Sequence, residues 1–245
     1  TSLNKRIIKS TNSVDYIIAN SNFTKGLANK VGIDVSKVHV IFPGIPKPKK
    51  IENIFKLKAE KFFEDSFPKI ITVSRLDKRK GHDKILMLIK NLKPKFPKIK
   101  YVSIGGGEEE ENLLKLSKEL NLEKETIFLK NIEFDLKTAL ISESNLFLMP
   151  SRIEKKSVEG FGIAFIEAAS YGVGSIGGKD GGAPDAISHK KTGLICDGND
   201  LNSIYNSVLD FFKNENYLKY GKNAKEFSQN FYWDKIIKNY LKLIN

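Results

Sequence analysis

An α/β fold, a parallel β-sheet with helices on both faces, is the class that this sequence predicts. Three observations carry it. Short apolar runs recur along the chain, among them Ile70-Ile71-Thr72-Val73, Tyr101-Val102-Ser103-Ile104 and Leu146-Phe147-Leu148-Met149. Segments of helical length separate them, and strands that alternate with helices form parallel sheets buried on both sides. Basic or glycine-rich turns follow several of the runs, at the end of the sheet where ligands bind in such folds.

Taken in order, Tyr16-Ile17-Ile18-Ala19 reads as a short buried strand. Ser21 is a good cap for a helix through about Lys30, and Val38-His39-Val40-Ile41 is a second strand. Pro43-Gly44-Ile45-Pro46-Lys47-Pro48 is dense in the two residues that interrupt regular structure and reads as a linker. Lys50 to Glu64 is a charged helix or a disordered insert. A new strand–helix run then begins. Its strands are 70–73, 101–104, 127–129 and 146–149, a weak one at Gly174-Ser175-Ile176-Gly177, and a last one at Gly193-Leu194-Ile195. Its helices are Asp83 to Leu92, Glu108 to Leu120, Leu136 to Ser142, a short one at Pro184 to Ser188, Leu201 to Phe212 and Asp234 to Ile244. The expected divisions are 1–45, a linker with the charged helix at 46–67, and a Rossmann-like sheet domain at 68–245. Trp233, Tyr240 and Leu241 read as the packing face of the last helix.

The chain has 245 residues, enough for one large domain or two small ones with ample core. Its hydrophobic fraction of 40% and its 16 Phe fit a globular protein. The net charge of +12 is compatible with nucleic acid, an anionic membrane surface or an anionic substrate. The excess is almost all Lys and is spread along the chain, and no aromatic-interleaved basic strand or recognition helix supports nucleic acid. The one cysteine, Cys196, excludes an intramolecular disulfide. No apolar run approaches the length of a spanning helix, and no signal peptide is visible. The chain opens on Thr1 rather than Met, as expected of a piece of a longer protein.

The segment Glu159-Gly160-Phe161-Gly162-Ile163-Ala164-Phe165-Ile166-Glu167 is the most informative. In a continuous helix its two carboxylates would stand about 12 Å apart on different faces. A tight glycine turn followed by a helix instead brings both toward one ligand, with the helix N-terminus offering free N–H groups to an anion. Such a set suits a polyhydroxylated, phosphorylated ligand. On these residues alone, an acidic cap and one buried, paired Glu is an equal reading. Ser74-Arg75-Leu76-Asp77-Lys78-Arg79-Lys80-Gly81 follows the strand at 70–73. Arg presents a planar fork to phosphate and Lys a point charge. Gly105-Gly106-Gly107 opens a helix, but Glu108 to Glu111 fill its first turn and repel an anion there. His82 reads as a surface residue at a helix start. His39, His82 and His189 are far apart, and neither metal-ligand spacing nor a Gly-x-Ser-x-Gly elbow occurs.

These segments resemble the E-x7-E signature and flanking loops of retaining glycosyltransferase family 4, the group 1 glycosyltransferases of GT-B fold. The resemblance covers nearly the whole chain. It implies that residues 68–245 are the C-terminal, donor-binding half of a GT-B fold. Residues 1–45 are then the tail and hinge of an N-terminal acceptor domain otherwise missing from this chain, with the helix 234–244 packing back toward that domain. By the same resemblance Arg75 and Lys80 hold and stabilise a departing nucleoside diphosphate, and Glu159 takes hydroxyls of the transferred sugar. Glu167 takes the ribose hydroxyls. Gly160, Phe161, Gly162 and Ile163 present backbone to sugar or phosphates, Gly105 packs near the nucleoside, and Asn131 and Ile132 line the base. Arg79 has no role in this scheme. The loop Gly177–Pro184 looks like the mannosyltransferase branch, which includes phosphatidylinositol mannosyltransferases. The implied function is transfer of a sugar from GDP-mannose or a UDP-sugar to a glycan or lipid-linked acceptor, with retention and without metal or cofactor, in polysaccharide, lipopolysaccharide or glycolipid synthesis. The implied location is cytoplasmic or peripheral on the inner face of the membrane. The alternative is a non-catalytic nucleotide-sugar-binding half-protein that needs a partner chain.

Overall fold

Six strands form one parallel sheet in the order β5-β4-β3-β6-β7-β8. They are β3 (Lys69–Val73), β4 (Lys100–Ile104), β5 (Thr126–Leu129), β6 (Leu146–Met149), β7 (Ser175–Gly178) and β8 (Gly193–Cys196). Two further strands, β1 (Ile17–Ala19) and β2 (Val38–Val40), pair in parallel as a separate small sheet. The helices are α1 (Ser2–Asn12), α2 (Asn22–Lys30), α3 (Asn53–Phe63), α4 (His82–Leu92), α5 (Glu110–Glu119), α6 (Phe134–Glu143), α7 (Ile163–Ser170), α8 (Ala183–Ala186), α9 (Leu201–Phe212), α10 (Asn216–Ser228) and α11 (Trp233–Ile244). This computed structural model describes residues 2–244, so Thr1 and Asn245, the outer ends of the expected divisions, lie outside the described residues.

Alternation along the strands explains why they read as apolar runs. Successive side chains point to opposite faces. Ile71, Val102 and Phe147 join α3, α6 and α7 in one core, while Ile70, Tyr101 and Leu146 join α4, α5 and α9 in the other. Both faces are covered, so both alternating sets must be apolar. β7 is the weak strand for a steric reason. A Cβ on Gly178 would lie 1.7 Å from the carbonyl oxygen of Ser151, where the loop after β6 crosses the strand end.

Residues 53–63 are helical, and Ala59 and Phe63 are fully buried against the main core. Of the two readings of this segment, the charged helix is the one found, and it is no disordered insert. Helices α1 and α10 were not expected from the sequence. α10 buries Tyr220, Gly221, Ala224 and Ser228, a face too small and mixed to give a clear apolar period. The last helix buries only Ile236, while Trp233 and Leu241 are about half exposed, so the expected Trp233-Tyr240-Leu241 packing face is not formed among the described residues. The Trp233 ring instead lies over Gly44. Beside it, Ile45 N–H donates to Phe231 O at 2.8 Å and Trp233 N–H donates to Ile45 O at 3.1 Å.

Phe161 belongs to this junction through its side chain. Its ring stacks on Phe42 at 5.4 Å and meets Phe231 at 5.8 Å. Truncating a buried Phe costs about 3–5 kcal/mol. Phe161→Ala should lower stability to urea by that amount, read as a fall in the unfolding midpoint. A loss under about 1 kcal/mol would show that the aromatic junction carries little of the fold.

Candidate active site

The strand order reverses between β3 and β6, and the loops that leave their C-terminal ends diverge there. Such a reversal opens the crevice in which open α/β sheets bind ligands. The β3 loop supplies residues 74–81 and the β6 loop residues 150–162. Arg152 ties them together. Its N–H donates to Arg79 O at 2.8 Å, and its guanidinium grips both carboxylate oxygens of Asp83 at 2.9 and 3.0 Å.

Within this bracket, Lys80 and Arg79 both donate to Glu159 Oε2, Arg79 at 3.2 Å. Lys80 is only 8% exposed. Burial raises the Glu159 carboxyl pKa, but Lys80 and Arg79 outweigh burial and hold it below its ordinary value. Arg79 is shared, because its Nε also lies 3.4 Å from Asp77 Oδ2. Arg75 is exposed. It lines a cavity of about 590 Å³ together with Lys78, Arg79, Glu108, Glu109 and Lys155. The two cations expected to act together thus stand on either side of Arg79, for which no role was expected. Nothing in the run of four basic residues within positions 75–80 separates Arg79 from Lys80; only the loop geometry does.

The second glycine loop braces the first. Gly182 N–H donates to Glu159 O at 2.8 Å. The next helix, α8, begins here, and its Asp185 accepts from Asn22 N at 2.7 Å and from Asn22 Nδ2 at 2.8 Å. The α2 N-terminus is thereby held against the glycine loops, and the Asn20 carboxamide lies over Gly160. The first turn of α7 follows Gly162 directly, placing Phe161, Gly162 and Ile163 at that helix N-terminus.

Glu167 lies elsewhere. Its Oε2 is 3.6 Å from Lys137 Nζ on α6, and the pair faces a recess lined by Ile45, Pro46, Phe134 and Tyr171. Lys137 also sits 4.7 Å above the Phe134 ring. The two carboxylates of the motif therefore take different cations, and Glu167 lines a recess of its own. Lys137 was not anticipated, because thirty residues separate it from its partner. Gly105 fits tightly under the β3 loop: at φ +145° a Cβ would come 1.9 Å from Ser74 O. Asn131 is exposed with φ 53°, and Ile132 packs against the core from the same loop.

His82 is not the surface residue expected; it is 1% exposed. Its Nε2 meets Ser74 Oγ at 3.0 Å and Arg75 O at 3.3 Å, and its Nδ1 meets Tyr101 Oη at 2.9 Å. Burial pulls its pKa down to about 4, so the ring is neutral at physiological pH. Among the described residues, no group of three or more His, Cys, Asp or Glu is placed to hold a metal ion, and no helix is long and apolar enough to cross a membrane.

A protein-family model described as "Glycosyl transferases group 1" matches residues 53–227. A GDP-mannose-dependent alpha-(1-6)-phosphatidylinositol monomannoside mannosyltransferase of Mycolicibacterium smegmatis is 32% identical over 145 residues, covering 58% of this chain and 38% of the relative. An N-acetyl-alpha-D-glucosaminyl L-malate synthase of Bacillus anthracis is 32% identical over 143 residues, covering 58% of this chain and 36% of that protein. The chain thus spans well under half the length of these two relatives. Among solved structures, Anabaena HepE in complex with UDP and glucose superposes with a TM-score of 0.85 at 19% identity, covering 99% of this chain and 66% of that one. A glycosyltransferase from Rickettsia africae gives 0.81 at 21% identity, covering 97% and 66%. At these identities the structures share the fold.

The buried His82 sets a measurable pH dependence. Its folded pKa, about 4, lies below the ordinary 6.5, so the unfolded chain takes up a proton that the folded one refuses. The stability involved is fully present above pH 6.5 and is lost as pH falls toward 4, to a total of about 3 kcal/mol. Glu159, with its lowered pKa, adds a further loss at still lower pH. Urea unfolding of wild type and His82→Gln from pH 7 to 4 should show stability falling with pH more steeply in wild type, over a carboxylate contribution common to both. The His82 slope should be missing from the variant; equal slopes would mean that the ring is protonated in the fold.

Proposed function

The chain belongs to the glycosyl transferases group 1 family, and from that membership we propose that it transfers a sugar from a nucleoside-diphosphate sugar to an acceptor hydroxyl, retaining the anomeric configuration in the manner of family 4. The observation that carries the reading is the Arg79–Lys80–Glu159 cluster at the point where the strand order reverses. Arg75 and Lys80 hold the diphosphate, and Arg79 joins them. Cations fixed where negative charge develops stabilise a departing diphosphate without reorganisation. Glu159 accepts from hydroxyls of the sugar, as a carboxylate can from a vicinal diol. Glu167 accepts from the ribose, with Asn131 and Ile132 along the base and Gly105 packed beneath the nucleoside. Backbone of Gly160, Phe161, Gly162 and Ile163 faces the sugar and phosphates.

Retention follows from departure and attack on the same face. The bond from the anomeric carbon to the diphosphate oxygen breaks, the bond to the acceptor oxygen forms, and the acceptor proton passes to the leaving phosphate. A carboxylate engaged by two cations is a poor nucleophile, which supports this route over a covalent intermediate on Glu159. Residues 1–45 are assigned to the acceptor side and residues 68–245 to the donor side, with the last helix, 234–244, packing back toward the acceptor domain. The names of the relatives support GDP-mannose or a UDP-sugar as donor, and a glycan or lipid-linked acceptor. A cytoplasmic location, with peripheral contact on the inner face of the membrane, goes with this reading. The net charge of +12 favours peripheral contact with an anionic membrane.

Calorimetric titration with UDP and GDP tests the site. Arg75→Ala and Lys80→Ala should each weaken binding about 10- to 100-fold, the worth of one charge-assisted contact. Glu159→Gln should tighten free diphosphate binding, because it releases Lys80 and Arg79, yet weaken the sugar-bearing donor relative to it. Glu167→Gln should weaken both alike. Unchanged affinity in both cation variants would remove the diphosphate assignment. Release of a labelled sugar with inverted configuration would remove the retaining one.

A further inference from the structure

We infer that His82 is a positioning residue that fixes the main chain under Arg75 through a buried hydrogen-bonded relay anchored in the sheet. The inference rests on the reading of Arg75 as a diphosphate ligand. Thr72 Oγ1 on β3 donates to Leu148 O on β6 and lies 3.1 Å from Tyr101 Oη on β4. The Tyr101 hydroxyl has one proton, which it directs to His82 Nδ1 at 2.9 Å, with Ser103 Oγ at 3.4 Å. A neutral ring that accepts at Nδ1 carries its proton on Nε2, which donates to Arg75 O at 3.3 Å and lies 3.0 Å from Ser74 Oγ. Ser74 Oγ also donates to Arg75 O, at 3.1 Å. The line thus runs from the Tyr101 hydroxyl, packed between β4, β3 and β6, through the ring to the carbonyl of the residue that carries the cation.

The polar line is a costly way to fill the space. Thr72, Tyr101 and His82 are each no more than 1% exposed, and buried polar groups must all find partners. An apolar side chain at 82 over a Phe at 101 would occupy similar volume with nothing to satisfy. What the apolar version lacks is a hold on the loop. Ser74 and Leu76 are already tied to the next turn, Ser74 N–H to Ile104 O and Leu76 N–H to Gly106 O, each at 3.0 Å. The His82 contact fixes the carbonyl between them, and with it the direction in which the Arg75 side chain leaves the backbone. Arg75 is exposed and has a long stem, so its guanidinium depends on that direction for placement. The ring's neutrality keeps a further positive charge away from Lys80.

The two ring nitrogens can be tested separately. A Gln carboxamide reaches the Nε2 position and keeps a partner for Ser74 and Arg75. An Asn carboxamide reaches the Nδ1 position and keeps Tyr101 only. Titration of UDP and GDP into the 245-residue chain should show His82→Asn weakened about tenfold and His82→Gln by less than about threefold, since small misplacements of a ligating group carry such costs. In an Arg75→Ala background the two variants should bind alike. Tyr101→Phe, which keeps the ring volume, should weaken binding severalfold in wild type and not in Arg75→Ala, and serves if His82→Asn fails to fold. Equal losses for Gln and Asn, or a difference that persists without Arg75, overturn the relay. Wild-type affinity in Arg75→Ala itself overturns the diphosphate reading, and the inference with it.

Discussion

A carboxylate taken largely out of water must be met by positive charge, and Glu159 is met by two cations from a loop about eighty residues earlier. Much else in the molecule follows from that requirement. The β3 loop has to reach across the strand reversal. Arg152 has to grip Asp83 to keep the two loops in register. The glycine loop after β7 has to come close enough for Gly182 to donate to the Glu159 carbonyl. Lys80 and Arg152 are nearly buried by these contacts and form the floor of the crevice, while Arg75 and Lys78 stand exposed at its rim.

The sheet was legible because its strands are buried on both faces, which keeps charged residues out of their interiors. The glycine turns were legible for a related reason, since they mark places where backbone passes over backbone. Residues 53–63 read ambiguously because only two of their eleven side chains are fully buried, and three lysines are mixed with the exposed Ile54 and Leu57 among the rest. α10 was invisible because its buried face is made of Gly, Ala, Ser and one Tyr. His82 misled because its neighbours in sequence, Lys80 and Asp83, suggest a solvated turn, whereas its partners Tyr101 and Ser103 come from the adjacent strand.

The two glutamates of the motif show where spacing stops informing. Their separation identified the turn and the helix start correctly as a unit. It did not reveal that one turns toward Lys80 and Arg79 while the other turns toward Lys137. Arg79 completes the charge balance around Glu159 and Lys137 that around Glu167, and both are brought there by tertiary structure. Asp185 is a similar case: its contact with Asn22 spans 163 positions and joins the small sheet's helix to the glycine loops.

The junction at Ile45 has a mechanical meaning. The chain enters the layers around the six-stranded sheet there and leaves them at Phe231–Trp233, and the two passages are hydrogen-bonded to each other on both sides of Ile45. They are therefore tied at one point rather than held separately. A loss of packing at Ile45 is felt by both passages at once, and the Trp233 ring against Gly44 belongs to the same knot.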